Sequence, residues 1–136
     1  MKDALDGALA ISSESDIVLV RRTVRDTAGR LGFGVTDVTR IVTAASELAR
    51  NIFLYAGSGV MRWRVLNTAG DVGLELRFDD KGPGIADVDA ALEPGYSTGG
   101  GLGLGLTGAK RLMDEMEIQS KEGQGTSVTV SKWRRK

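Results

Sequence analysis

The chain has 136 residues, 41% hydrophobic and 26% charged, with Lys plus Arg balancing Asp plus Glu at 18 each. That is the composition of one ordinary globular domain, expected to span 1–136, and its zero net charge offers no basic field to nucleic acid. Cysteine and histidine are both absent, so disulfides, zinc–thiolate sites, thiolate catalysis and imidazole acid–base chemistry within the chain are excluded.

The first ten residues carry Asp3 and Asp6 and lack the apolar centre of a signal peptide. No run approaches the ~18 apolar residues of a membrane span, and a cytoplasmic location without membrane partners is expected. Residues 8–12 read as a short edge strand. Ser13 and Asp16 stand at capping-box spacing before a helix over 17–31, whose apolar stripe is Ile17, Val20, Val24, Thr27, Ala28 and Leu31. Gly32-Phe33-Gly34 ends it. A second helix, capped by Thr36 or Asp37 and reaching about Tyr55, carries the most regular 3.6-residue pattern: Val38, Ile41, Val42, Ala45, Leu48, Ala49 and Ile52. Two strands follow, 60–66 and 72–78, joined closely enough for an antiparallel hairpin. In the second, Val72, Leu74, Leu76 and Phe78 alternate with polar or small residues, so one face is covered.

A short helix at 85–92, a loop over 94–101, a helix over 102–116 opened by glycines, and strands over 117–122 and 126–133 complete the pattern. The basic stretch Lys132-Trp133-Arg134-Arg135-Lys136 reads as a strand end running into a solvated tail. Strands arriving in consecutive pairs predict an α+β fold: a two-layer α/β sandwich with a mixed, mostly antiparallel sheet and helices on one face.

Three places could hold chemistry. Glu47 and Asn51 lie four apart, on one face of the second helix. The amide oxygen suits a hard cation such as Mg²⁺, and the carboxylate can orient a hydroxyl proton, although such a pair alone is more often a solvated face. Asp80 at a strand end, in Asp80-Lys81-Gly82-Pro83-Gly84, reads equally as a local turn cap and as an acceptor for an exocyclic amine. Five glycines in the run Gly99–Gly108 precede a helix body and expose N–H groups at its start, an anion site. Gly103 to Gly108 also matches G-x-G-x-x-G, but no hydrophobic strand precedes it. A P-loop is excluded because Lys110 falls one place late with no hydroxyl after it.

In this order the three elements resemble the ATPase domain shared by gyrase, histidine kinases and MutL, with its Bergerat fold. A closer resemblance is to the RsbT-type serine/threonine kinases. It is carried by Ser46-Glu47-Leu48-Ala49-Arg50-Asn51-Ile52, by Gly95-Tyr96-Ser97-Thr98-Gly99-Gly100-Gly101-Leu102-Gly103 and by Arg111-Leu112-Met113-Asp114-Glu115. The resemblance implies an ATP-dependent, Mg²⁺-using kinase. Asn51 would ligate the metal, Glu47 would act as base or orienting group, and Asp80 would meet the adenine amine. Gly82 and Gly84 would shape the pocket. Gly101, Leu102, Gly103 and Gly105 would present N–H groups to phosphate, and Thr126 would help to hold adenine. It further implies STAS-domain partners in a stressosome and a PP2C-type phosphatase activated by the released kinase. The rival expectations are a non-catalytic ATP-dependent switch or anti-sigma factor, and a gyrase-like ATPase clamp.

Overall fold

The computed structural model describes residues 6–84 and 102–134. In chain order these form β1 (Gly7–Ile11), α1 (Glu14–Arg30), α2 (Val35–Asn51), a π-helical turn (Ile52–Ala56), β2 (Gly59–Thr68), β3 (Asp71–Asp80), α3 (Leu102–Leu112), β4 (Glu115–Lys121) and β5 (Gly125–Trp133). The expected helix at 85–92 and loop at 94–101, which includes Gly101, lie outside the described residues.

The strands form one sheet in the order β1-β2-β3-β5-β4, and every described pairing is antiparallel. β3 is central, and its alternation decides which face is covered. Leu74, Leu76 and Phe78 are buried, alongside Met61 of β2 and Val128 and Val130 of β5. The helices pack on that face. α2 touches both α1 and α3, which explains why Ala44 is as fully buried as Ala45. Small side chains there let three helices share one layer. The stripe expected for α1, from Ile17 to Leu31, is buried at every position. β2 and β3 meet through a two-residue turn in which Ala69 (φ 54°) and Gly70 (φ 86°) are both left-handed, the geometry that matches strand twist.

Local chemistry sets the element ends, and some differ from expectation. α1 begins at Glu14, because the Asp16 carboxylate accepts from the backbone N–H of Ser12 (2.9 Å) and Ser13 (3.1 Å). Those bonds, the Ser12 N–H first, hold Asp16 below the usual carboxylate range. α2 begins at Val35 with Gly34, not Thr36 or Asp37, at its cap; Asp37 instead pairs with Arg40 at 3.1 Å. α2 does not run to Tyr55 as an α-helix. It ends at Asn51 and widens into the π turn. α3 stops at Leu112, four residues before the expected end, because the Asp114 N–H bonds Ser131 O (2.9 Å) and its carboxylate accepts from the Trp133 N–H (2.8 Å). These bonds start β4 at Glu115 and turn Met116 into a strand residue opposite Val130.

The basic stretch is not a solvated tail over its described part. Lys132 is 4% exposed and points into the layer between sheet and helices. Its Nζ donates to Leu112 O (2.9 Å), the last residue of α3, and lies 3.5 Å from Asp114 and 3.9 Å from Asp37. One cation thus joins the C-terminus of α3, the first turn of α2 and the entry to β4. Arg134 donates to Leu31 O at 2.9 Å and closes the end of α1.

Two stability experiments follow from these contacts. Lys132→Ala strips the neutralising charge from Asp37 and Asp114 and orphans the Leu112 carbonyl. It is expected to lower unfolding free energy by about 3 kcal/mol in urea melts. For Asp16 the folded pKa is the depressed one, so its contribution is complete at neutral pH and is lost as pH falls through that lowered value. The gap in urea midpoint between wild type and Asp16→Asn should therefore be widest near neutrality and narrow as pH falls through the lowered Asp16 value.

Candidate functional site

α2 carries Glu47 and Asn51 at its C-terminal end, one turn apart on a face turned from the core stripe. Both are half-buried. Among the described residues the Glu47 carboxylate has no hydrogen-bonding or ionic partner. Asn51 Nδ2 is buried with no hydrogen-bond partner among the described residues, an arrangement that costs about 1–3 kcal/mol when nothing fills it. The π turn that follows directly is closed by the Gly57 N–H on Ile52 O (2.9 Å), with Gly57 at φ 83°. It keeps Ile52 in the core at 3% exposure while adding a residue to the turn.

β3 delivers Asp80. In the sheet register Asp80 faces Thr126 of β5 on one side and Gly59 of β2 on the other. Asp80 Oδ1 accepts from the Gly82 N–H at 2.9 Å. The turn-cap reading is thus met by one oxygen, and among the described residues the other has no hydrogen-bond partner. The Thr126 hydroxyl is 2.8 Å from Ser120 Oγ, which also bonds Gly125 O at 3.0 Å. Asp80, Ser120, Gln124 and Thr126 line a recess of about 360 Å³ at these strand ends.

The glycines after Asp80 are required by the chain itself. A Cβ on Gly82 would lie 2.6 Å from the Ala56 Cβ of the π turn. A Cβ on Gly84 (φ 75°) would run into the carbonyl of Lys121, and one on Gly125 (φ 101°) into the carbonyl of Asp80. The Gly123 N–H bonds Pro83 O at 2.6 Å. The Asp80 turn is thus laced to the π turn behind Asn51 and to the β4–β5 turn. Ser120, Ala56, Gly123 and Gly125 were missed as site residues in the sequence. Hairpin register alone, pairing Ser120 with Thr126, could have flagged the first.

The Lys132 contacts orient α3. Its last residue lies by the first turn of α2, so the two helices run antiparallel and the start of α3 lies towards the Asn51 end. Leu102, Gly103 and Gly105 fall in the first turn of α3, where backbone N–H groups lack intrahelical acceptors. The structure therefore gathers Asn51, Asp80, Gly82, Gly84, Thr126 and the start of α3 at one end of the molecule, with Glu47 one turn away. Among the described residues no group of three acidic side chains could cage a metal ion.

Residues 12–132 match the family model of the histidine kinase-like ATPase domain. The chain is 50% identical over 125 residues to the serine/threonine-protein kinase RsbT of Bacillus subtilis, covering 92% of this chain and 94% of that one. It is 29% identical over 129 residues to an anti-sigma F factor of Caldanaerobacter subterraneus, covering 90% and 89%. Among solved structures, the RsbU and RsbW domains of a Mycobacterium tuberculosis protein superpose with a TM-score of 0.61 at 20% identity. That match spans 96% of this chain and 33% of the longer one.

The lacing predicts a graded cost for adding a methyl group. Gly57→Ala meets only backbone strain, since nothing lies within 4 Å of the new Cβ, and should cost about 1 kcal/mol in chemical denaturation. Gly125→Ala adds a collision with the Asp80 backbone and should cost about 3 kcal/mol.

Proposed function

We propose, from the premise that this chain belongs to the histidine kinase-like ATPase domain family and within it to the RsbT-type serine/threonine kinases, that it phosphorylates a STAS-domain partner protein and that the end of α2 holds the reacting groups. The observation that carries this reading is the buried Asn51 Nδ2, without a hydrogen-bond partner among the described residues, at the entry to the π turn against which Gly82 of the Asp80 turn packs. The oxygen of the same amide is a hard donor that suits Mg²⁺. With no carboxylate cage among the described residues, Mg²⁺ would take Asn51, water and phosphate oxygens, as that ion commonly does.

Bound ATP with Mg²⁺ supplies the phosphoryl group and neutralises its charge, most of what this transfer asks of a catalyst. The residues of the chain do the positioning. Asp80 would accept from the adenine amine, and Thr126, steadied by Ser120, would hold the ring from the neighbouring strand. The N–H groups of Leu102, Gly103 and Gly105 would meet phosphate oxygens at the start of α3, and the sequence resemblance adds Gly101 to them. Glu47 would orient the partner's hydroxyl or accept its proton as the phosphoryl group passes to that oxygen and ADP leaves.

The proposed setting is the bacterial cytoplasm and a stressosome-type partner switch, in which the released kinase binds and activates a PP2C-type phosphatase. The similarity to an anti-sigma F factor favours one second reading, ATP-dependent docking without transfer.

Incubation with γ-labelled ATP and a STAS-domain protein separates the two. Label is expected on the partner's serine or threonine. Glu47→Gln should lower kcat by roughly 10²–10⁴-fold with ATP affinity retained, whereas Asn51→Ala should lose Mg²⁺-dependent ATP binding. Wild-type transfer rates in Glu47→Gln would remove the assigned role of that carboxylate. ATP-dependent binding without label would establish the docking reading.

A further inference from the structure

At the recess formed by the ends of β3, β4 and β5 the hydrogens can be counted one by one. A hydroxyl carries one hydrogen and two acceptor lone pairs. Ser120 Oγ lies 3.0 Å from Gly125 O, a carbonyl that can only accept, so the Ser120 hydrogen goes there. The 2.8 Å contact between Ser120 Oγ and Thr126 Oγ1 must then take its hydrogen from Thr126. Both hydroxyls are thereby spent as donors. Thr126 keeps only lone pairs for anything that enters the recess it lines with Asp80. The Asp80 carboxylate brings no hydrogen either, and its Oδ1 already accepts from the Gly82 N–H at 2.9 Å.

The backbone holds this arrangement in place. Ser120 and Thr126 face each other in the β4–β5 register, as Thr126 and Asp80 do in the β3–β5 register. Gly125, which supplies the accepting carbonyl, is buried so tightly against the Asp80 backbone that a Cβ would collide with it. Lys121 and Gln124 also line the recess, but both are exposed and their donors are met by solvent. The fixed polar groups of the recess are therefore acceptors.

We propose that Ser120 is a positioning residue for nucleotide selection. By taking the Thr126 hydrogen it turns the base subsite into a pair of fixed acceptors, which fits a purine with an amine at its six-position and repels one with a carbonyl there. The inference rests on the nucleotide-binding part of the reading above, to which the roles of Asp80 and Thr126 belong; the direction of the Thr126 hydrogen and the residue that sets it are new. A six-amino group brings two N–H donors, one for each of two acceptors on neighbouring strands. A six-oxo group sets lone pairs against lone pairs and leaves both acceptors without a donor, which is how a polar site rejects a close analogue. Nothing in the threonine itself decides this. Without Ser120 its hydroxyl is free to turn, donate into the recess and accept a six-oxo purine.

Calorimetric titration of the full chain with ATP and with inosine triphosphate, each with Mg²⁺ and without a partner protein, reads the effect directly, because these nucleotides differ only at and beside the six-position. Wild type is expected to prefer ATP by about tenfold or more. Ser120→Ala should cut that preference by about threefold or more through a gain in affinity for inosine triphosphate. Ser120→Thr, which keeps the hydroxyl, should restore it. Thr126→Val tests the direction of the hydrogen even if Ser120→Ala fails to fold: loss of an acceptor should weaken ATP and leave inosine triphosphate unchanged or tighter. An equal loss of affinity for both nucleotides in Ser120→Ala would reduce Ser120 to a structural role and overturn the inference. A Thr126→Val protein that loses inosine triphosphate as much as ATP would also overturn it, since the hydroxyl would then be a donor to the ligand. The expected preferences without label on a STAS-domain protein would sink the kinase reading alone. Label transfer with a preference that neither variant moves would sink this inference alone, and a wild type that binds no nucleotide would sink both.

Discussion

Much of this molecule's functional end depends on how closely backbone approaches backbone after β3. The chain leaves the sheet at Asp80 and is gripped on two sides. Gly82 lies against Ala56, and Gly84 and Gly125 let the Asp80 turn and the β4–β5 turn touch without side chains between them. Any Cβ at these positions would push the two turns apart, and Asp80 and Thr126 would lose their shared register. The same contacts link Asp80 to the π turn, whose first neighbour is Asn51. A shift of an ångström between those groups matters for any reaction that proceeds by positioning. The glycines therefore act on a ligand at second hand, by fixing where the wall stands.

The two ends of the fold divide their work. At one end polar groups are saturated: Lys132 gathers Leu112 O, Asp114 and Asp37, and Arg134 closes α1 on Leu31 O. At the other, Asn51 and Glu47 are half-buried, the Asn51 Nδ2 and the Glu47 carboxylate have no partner among the described residues, and α3 presents the start of its first turn. Unpaired groups in a partly buried place cost stability, and a fold tolerates them where function requires them. Fixing α3 by its C-terminus leaves its N-terminal N–H groups as the part that meets the site. The macrodipole adds a positive bias there, which favours an anion.

Much of the fold could be read from sequence because its signals are local and periodic. The stripes of α1 and α2 and the alternation of β3 each repeat over several turns or strand residues, and each named core face is the one buried. The Asp80 turn and the Glu47–Asn51 pair were visible as residue types in a characteristic order. What escaped was set by distant partners. Met116 continues the apolar period of α3, yet Asp114 is captured by Ser131 and Trp133, so the chain turns into β4 first. Lys132 looks like the start of a solvated tail until α2 and α3 bring Asp37 and Leu112 to it. The reason for Gly82, Gly84 and Gly125 is another segment's backbone, which no local pattern encodes. Nor does any local signal distinguish the π turn from a sixth turn of α2.

The relation between catalysis and binding follows from the same geometry. The relatives include a serine/threonine-protein kinase and an anti-sigma F factor, which match nearly the same length of this chain. A nucleotide seated between Asn51, Asp80 and the start of α3 would order one face of the molecule in either case. On the proposed reading, whether an approaching protein is modified or merely held would turn on whether its hydroxyl reaches Glu47 in line with the terminal phosphate.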